Sequence, residues 1–327
     1  MIQNLLSSAI VFVFAAQLQA QAKLIKVDGS STVYPITEAM AEEFQTAQKG
    51  AVKVTAGISG TGGGFKKFCR GEIDVTAASR PISAAELESC GKEKIKFFEL
   101  PVAFDAMVIV VHPSNKMTEM TVADLKKIWE PSAQGKVTKW SDVNPAWPKM
   151  DLKLYGAGAD SGTFDYFTEA VVGKAKSSRG DYTASEDDNI IVKGVSGDKG
   201  ALGFIPYSYY VENQKKLKAL AIVNPQGKAV LPTKESVENA TYSPLSRPLF
   251  IYVNEKSAQK AEVKDFVNMY LKTASSIVPS VKYVALPAKA YTMALEHFEK
   301  GKLGTVFKGH SEIGLTIEQL LKKEATY

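Results

Sequence analysis

Short apolar segments alternate with amphipathic segments along the amino-terminal part of the chain. The pattern predicts a strand over residues 24–27, a turn over 29–32 and then a helix, because apolar residues recur at helical spacing over 33–44. The same order repeats with a strand over 52–56, the turn GISGTGGG and a helix that begins near Phe65. This alternation favours a mostly parallel sheet covered by helices.

Two further units follow the same plan. A strand over 73–78 ends in Ser79-Arg80-Pro81 and precedes a short helix over 83–88. A strand over 152–155 enters GAGADSGT and then another helix. Doubly wound sheets bind ligands at the carboxyl ends of their strands. We therefore expect the turns that follow these strands to hold the functional residues.

Two long apolar runs interrupt this alternation, one over residues 100–112 and one over 248–253. Both are too long or too apolar for surface loops, and they are candidates for a pair of strands that cross between two lobes. We therefore predict two doubly wound α/β lobes joined by two crossing strands. Residues 23–107 and 253–327 would form lobe I, and residues 108–252 would form lobe II.

The first 22 residues carry no charged side chain and end in Ala20-Gln21-Ala22, a pattern typical of a secretory signal peptide. The segment before the apolar run lacks Lys and Arg, so a short membrane anchor is the alternative. The apolar run is, however, well below the roughly 20 residues that a spanning helix needs. We expect cleavage after Ala22 and a soluble periplasmic product, long enough for two lobes of roughly 150 residues each.

Composition, net charge and the cysteines bear on the ligand class and on possible disulfide and metal sites. The chain is 45% hydrophobic and 23% charged, and its formal net charge of +5 favours encounter with anions but is too diffuse for nucleic-acid binding. Cys69 and Cys90 are the two cysteines, and in an exported chain we expect them to form a disulfide, with two free buried thiols as the alternative. The spacing of cysteines and histidines indicates no metal site, and we expect no cofactor.

Three turns are rich in glycine and hydroxyl residues and lead directly into a helix: 29–32, 59–64 and 160–163. A helix amino terminus presents unpaired N–H groups and positive partial charge, and glycine allows the backbone to approach a ligand closely. The alternative for each turn is a plain helix cap. Together the three turns indicate a site that binds an anion.

Arg80 and Asp160 narrow the choice of anion. The guanidinium of Arg80 suits a tetrahedral oxyanion, although a solvated arginine ahead of a proline is the alternative. A buried carboxylate at Asp160 would repel any anion that has no proton to donate. Phosphate keeps a proton near neutral pH and sulfate does not, so this carboxylate would select phosphate. The alternative for Asp160 is a helix cap.

Other classes of protein fit the sequence less well. No Walker-type lysine follows the glycines, and GTGGG does not match the dinucleotide fingerprint. No GxSxG elbow is present, and the three histidines lie far along the chain from the hydroxyl-rich turns. A receptor for sulfate or molybdate, and a secreted phosphatase or serine hydrolase, remain as alternatives.

Four segments carry a resemblance to a known family: VDGSSTVYPITEAMAEEF, SGTGGGFKKFCRGEIDVTAASRPIS, ADSGTFDYFTEAV and GDKGALGFIPYSYY. In this order they resemble the periplasmic phosphate-binding proteins that serve phosphate ABC importers. The resemblance implies a type II periplasmic-binding fold that closes on one phosphate and delivers it to a membrane permease. It also implies a binding protein rather than an enzyme, and we expect a monomer.

The resemblance also implies individual phosphate contacts. Carried over residue by residue, they fall at Ser31, Thr32, Ser59, Thr61, Ser161, Gly162 and Thr163. The best-known branch of the family has an aspartate in place of Arg80, and an arginine just upstream of SGT, where this chain has Ala157 and then Asp160. The resemblance therefore suggests that Arg80 and Asp160 are exchanged between the walls of the cleft. The cysteine pair resembles a feature of the subgroup with the SRP turn, which supports the disulfide.

Overall fold

A computed structural model describes residues 22–239, 241–310, 312 and 314–324 of the chain. The predicted signal peptide, residues 1–22, lies outside the described residues except for Ala22. Within the described ranges, no helix has both the length and the apolar character that crossing a membrane requires.

The described part of the chain forms twelve strands and twelve α-helices. Strands β1 to β12 span Lys23–Gly29, Val52–Ala56, Val75–Ala78, Phe97–Val111, Glu119–Thr121, Lys153–Ala157, Thr183–Ser185, Ala201–Pro206, Lys218–Ala219, Ala221–Val223, Ala229–Val230 and Ser246–Asn254. Helices α1 to α12 span Tyr34–Ala47, Gly60–Cys69, Ala84–Lys92, Val122–Trp129, Trp140–Val143, Gly162–Val172, Asp188–Gly197, Tyr207–Glu212, Lys234–Glu238, Ala261–Ser280, Ala288–Glu299 and Ile317–Glu324.

One nine-stranded sheet runs through both lobes in the order β2-β1-β3-β12-β4-β8-β6-β7, with β9 paired to β4. β1 runs parallel to β2 and β3, and β6 runs parallel to β7 and β8. β12 is antiparallel to both β3 and β4. A separate sheet has the order β11-β10-β5. The predicted α/β class is therefore confirmed, and each lobe contains a parallel set of strands.

The strands β4 and β12 lie between these parallel sets. Every residue of both strands is buried, as their mostly apolar sequence indicates. β4 pairs with β12 up to Ala106 and with β8 from Met107 onward. In β12, residues 250–253 pair with β3. The division into lobes stays a prediction.

The helices α1, α2 and α6 each follow a parallel strand, and the glycine and hydroxyl residues lie just before these helices or in their first turns. α2 begins at Gly60 rather than near Phe65, which corrects the predicted start. Gly60 has a φ of 74°, and a Cβ on Gly64 would lie 2.7 Å from the Cα of Gly29. Glycine is thus needed for α2 to start where it does and to pack against the end of β1.

The predicted disulfide between Cys69 and Cys90 is confirmed, and both residues are buried. It joins the last residue of α2 to α3. α3 begins with a capping box in which Ser83 and Glu86 each bond to the other's backbone N–H. Both features hold the turn that carries Arg80, which lies between the two helices in the chain.

Candidate functional site

The three glycine and hydroxyl-rich turns meet where the two lobes touch. Thr32 Oγ1, ahead of α1, lies 2.9 Å from Thr163 Oγ1 in the first turn of α6. The N–H of Gly62 in α2 donates to the carbonyl of Asp160 at 3.3 Å. Thr32, Thr61 and Thr163 are at most 1% exposed. The amino-terminal turns of three helices therefore surround one buried region that contains several hydroxyl groups.

At Gly162 the two walls approach each other closely. A Cβ on this residue would lie 2.4 Å from both Ser79 Oγ and Thr61 Oγ1. These two hydroxyl groups lie 3.1 Å apart, and the N–H of Ser79 donates to Thr61 Oγ1 at 3.2 Å. On the other wall, Ser161 caps α6 by accepting from the N–H of Thr163 at 3.1 Å. Any side chain at position 162 would push the hydroxyl-bearing turns apart.

Arg80 is 6% exposed and forms ion pairs with carboxylates of both lobes. Its Nη1 and Nη2 donate to the two oxygens of Glu86 at 2.8 and 2.9 Å. Its Nε donates to Asp165 Oδ2 at 2.8 Å, across to α6. Burial disfavours the charged guanidinium, but Glu86 and Asp165 outweigh this and raise the pKa of Arg80 above its ordinary value. The arginine is thus permanently charged and held in one orientation.

Asp165, and not Asp160, is the carboxylate that faces Arg80 across the lobes. Burial raises the pKa of Asp165, whereas the nearby Arg80 lowers it. Asp160 was expected to be buried, but 52% of its side chain is exposed and it pairs with Lys66 at 3.3 Å. The expectation of a buried carboxylate at position 160 is therefore wrong. The reason is the position of each residue along α6. Asp160 precedes the capping residue Ser161, whereas Asp165 lies in the first turn of the helix and is buried.

Seven of the nine predicted site residues are buried in the turns around this contact: Ser31, Thr32, Thr61, Arg80, Ser161, Gly162 and Thr163. Asp160 lies at the exposed edge. Ser59 is half-buried, and its hydroxyl donates to Asp28 Oδ1 at 2.7 Å. Asp28 also pairs with Lys67, so the Ser59 hydroxyl is committed to an ion pair beside the site.

Sequence reasoning missed a second buried arginine at the same place. Arg247 in β12 and Asp105 in β4 are directly opposite in the strand register, and both side chains are fully buried. Arg247 Nη2 lies 3.2 Å from Asp105 Oδ2, and Nη1 donates to the carbonyl of Gly162 at 3.0 Å. A signal was present, because Asp105 is the only charged residue between 100 and 111 in the first apolar run. A buried charge needs a partner of opposite sign.

The region around Arg247 also raises carboxyl pKa values. Burial raises the pKa of Asp105, against the opposing effect of Arg247. Burial, together with the charge of Asp105, raises the pKa of Asp188 to about 8, and Arg247 again opposes the shift. A protonated Asp188 would leave Arg247 and Asp105 as a balanced pair of charges.

Comparison with known proteins gives a family for the chain. A family model described as a PBP superfamily domain matches residues 15–272. Protein SphX of Synechococcus elongatus is 54% identical over 308 residues, which cover 94% of this chain and 91% of the relative. The phosphate-binding protein PstS of Staphylococcus saprophyticus is 39% identical over 272 residues, covering 82% of each chain.

Two solved structures are similar to this chain over most of their length. A possible phosphate-binding protein from Planctomyces limnophilus is 46% identical, with a TM-score of 0.65, covering 86% of this chain and 99% of its own. A substrate-binding protein from Clostridium perfringens with bound phosphate is 25% identical, with a TM-score of 0.69, covering 81% of this chain and 100% of its own.

Proposed function

The chain belongs to the PBP superfamily, as a relative of SphX and the PstS proteins with the type II periplasmic-binding fold, and from this premise we propose that it binds inorganic phosphate for an ABC importer. The resemblance drawn from the sequence is thereby confirmed. One observation carries the proposal: hydroxyl-bearing segments at the amino-terminal ends of three helices, from both lobes, meet beside the buried charge of Arg80. Such an arrangement supplies many donors to one oxyanion.

Binding would proceed by opening and closing of the lobes. When they separate, Thr32 and Thr163 lose their mutual hydrogen bond, and Gly162 withdraws from Thr61 and Ser79. Phosphate would then accept hydrogen bonds from these hydroxyls, from the N–H groups of α2 and α6, and from Arg80. Closing excludes water and strengthens each of these charge-assisted bonds.

Asp165 would provide the preference for phosphate over sulfate. Asp165 is buried in α6, on the wall opposite the turn that carries Arg80. Its carboxylate is paired with the guanidinium of Arg80. One carboxylate oxygen could accept the proton that phosphate carries. Sulfate has no proton, so the same oxygen would face it without a hydrogen bond and repel it. We propose this role for Asp165 in place of Asp160.

The protein acts, in this proposal, as a periplasmic, monomeric carrier rather than an enzyme, and delivers phosphate to the permease of the importer. A catalytic serine needs a base that accepts its proton. Among the hydrogen bonds of the described residues, the Ser161 hydroxyl has the N–H of Thr163 as its partner and no histidine or carboxylate, and Thr163 accepts from Arg247. These hydroxyls are thus arranged to present hydrogen-bond donors to an anion, which favours a carrier over a phosphatase or serine hydrolase.

Titration calorimetry of the chain that begins at Lys23, with phosphate and then with sulfate, tests the proposal. We expect one phosphate per chain and no heat from sulfate at the same concentration. Tight sulfate or molybdate binding without a response to phosphate would contradict it. Steady turnover of a chromogenic phosphate ester, lost in Ser161→Ala, would favour the enzyme instead.

A further inference from the structure

We infer that Arg247 is a positioning residue for the phosphate site: it orients the hydroxyls of Thr32 and Thr163, one from each lobe, so that the pair presents a donor to the anion. This inference rests on the proposed function and adds a residue to it. Arg247 lies on β12, outside the three turns and outside the Arg80 turn.

The guanidinium of Arg247 contacts both walls of the site. Its Nη2 donates to Thr163 Oγ1 at 2.8 Å and lies 3.3 Å from Thr32 Oγ1. Its Nη1 donates to the carbonyl of Gly162 at 3.0 Å. Thr163 and Gly162 belong to α6, whereas Thr32 precedes α1. One side chain is therefore bonded to the amino-terminal turns of helices from both lobes.

A count of protons and lone pairs shows what this does to the hydroxyls. A hydroxyl has one proton and two lone pairs, whereas a guanidinium only donates. Arg247 occupies a lone pair on Thr163 Oγ1 and contacts one on Thr32 Oγ1, and one of the two threonines donates to the other across 2.9 Å. Whichever threonine donates, the other keeps its proton for a further acceptor. Arg247 and the mutual hydrogen bond together take up most of the lone pairs, so the pair presents one donor, which suits an unprotonated phosphate oxygen.

The location of Arg247 explains how this arrangement could survive movement of the lobes. Arg247 pairs with Asp105 on β4, and β4 and β12 are the two strands that pass between the lobes. Residues at the crossing move least when two lobes rotate about it. Arg247 would thus stay in place and receive Thr163 and Thr32 in the same geometry at each closing.

A double-mutant cycle on phosphate affinity tests this inference. The variants are Arg247→Lys, Thr163→Val and the combination of both, with titration calorimetry reporting Kd and stoichiometry separately. Lysine keeps the charge beside Asp105 but lacks the planar fork that reaches several acceptors. We expect Arg247→Lys to weaken phosphate binding about tenfold, with unchanged stoichiometry. Because Arg247 acts through Thr163, its effect should shrink to about twofold or less in the Thr163→Val background.

Arg179→Lys is the matched control, because Arg179 is 4% exposed and bonds to Asp181 and to the carbonyls of Ile128 and Val137. It should leave Kd unchanged. Equal Kd values for wild type and Arg247→Lys would overturn the inference, as would additive effects in the cycle. A fall in stoichiometry and melting temperature at constant Kd would reveal a purely structural role and also overturn it. Wild-type protein that fails to bind phosphate would instead overturn the proposed function itself.

Discussion

The two buried arginines of the site are held in different ways. Arg80 is fixed by Glu86 of its own lobe and uses a single Nε–H to reach Asp165 on the other. Arg247 lies on a crossing strand, is balanced by Asp105 and bonds to groups of both lobes. Both charges are paired, but Arg80 shares its two carboxylates with the edge of the site, where a ligand can compete for it, whereas Arg247 and Asp105 are fully buried together on the crossing strands. Arg80 should therefore control affinity, and Arg247 should control geometry.

The largest expected effect comes from removing the charge of Arg80. Arg80→Gln leaves the carboxylates of Glu86 and Asp165 to repel the anion, so phosphate affinity should fall on the order of 100-fold or more. Titration calorimetry measures it, with Arg179→Gln as the control for loss of a buried arginine elsewhere. A loss no greater than that of Arg247→Lys would break the distinction between the two arginines.

Gly162→Ala tests the contact between the two walls of the site. Gly162 faces the hydroxyls of Thr61 and Ser79, and its carbonyl accepts from Arg247. The added Cβ would lie 2.4 Å from the hydroxyls of Thr61 and Ser79, so the lobes could not close fully. We expect phosphate affinity to fall about tenfold or more, since overpacking costs about 1–3 kcal/mol. Small-angle scattering should show less compaction on adding phosphate than in wild type. Gly197→Ala, at a site where a Cβ meets no atom within 4 Å, controls for loss of a glycine.

Asp165→Asn tests the selectivity proposed for the Arg80 side of the site. An amide can donate as well as accept, so it removes the penalty against sulfate. We expect phosphate affinity to fall about tenfold and the ratio of phosphate to sulfate affinity to fall further. Competition of sulfate against labelled phosphate measures the ratio. An unchanged ratio would show that the selecting acceptor lies elsewhere.

The Arg247 side should respond to pH through Asp188. Its pKa is raised from the ordinary 3.8 to about 8, chiefly by burial, so the folded chain favours the protonated form. The stability that this proton contributes is fully present below the ordinary pKa and is lost as pH rises through about 8. Thermal unfolding should thus show a melting temperature that decreases between pH 5 and pH 9, with a weaker decrease in Asp188→Asn. Equal slopes in the two proteins would contradict this assignment.

The smallest effect is expected at the edge of the site. Asp160 is half exposed and pairs with Lys66, so Asp160→Asn should change phosphate affinity by about twofold or less at physiological salt. The same titrations used for Asp165→Asn provide the measurement. A loss as large as that of Asp165→Asn would return the selecting role to Asp160 and make the Arg80 pairing with Asp165 merely structural.

Much of the site followed from local pattern. The three turns, the position of Arg80 after a strand, and Thr61 and Thr163 at helix starts all depend on residues within a few positions of each other. Helix starts and strand ends have such local signals because their unpaired N–H groups and periodicity are set by neighbouring residues. The start of α2 was wrong by several positions, because its glycines were interpreted as a turn, although close packing against Gly29 makes them helical.

By itself, the sequence determined the α/β class, the paired cysteines, the hydroxyl-rich helix starts and the family. Only the tertiary structure decided that Asp165 faces Arg80, that Asp160 is exposed, and that Arg247 with Asp105 lies under the site. The physical reason is separation along the chain. Helix caps and strand periodicity arise between near neighbours, whereas the partner of a buried charge is chosen by the packing of strands and helices far apart in sequence.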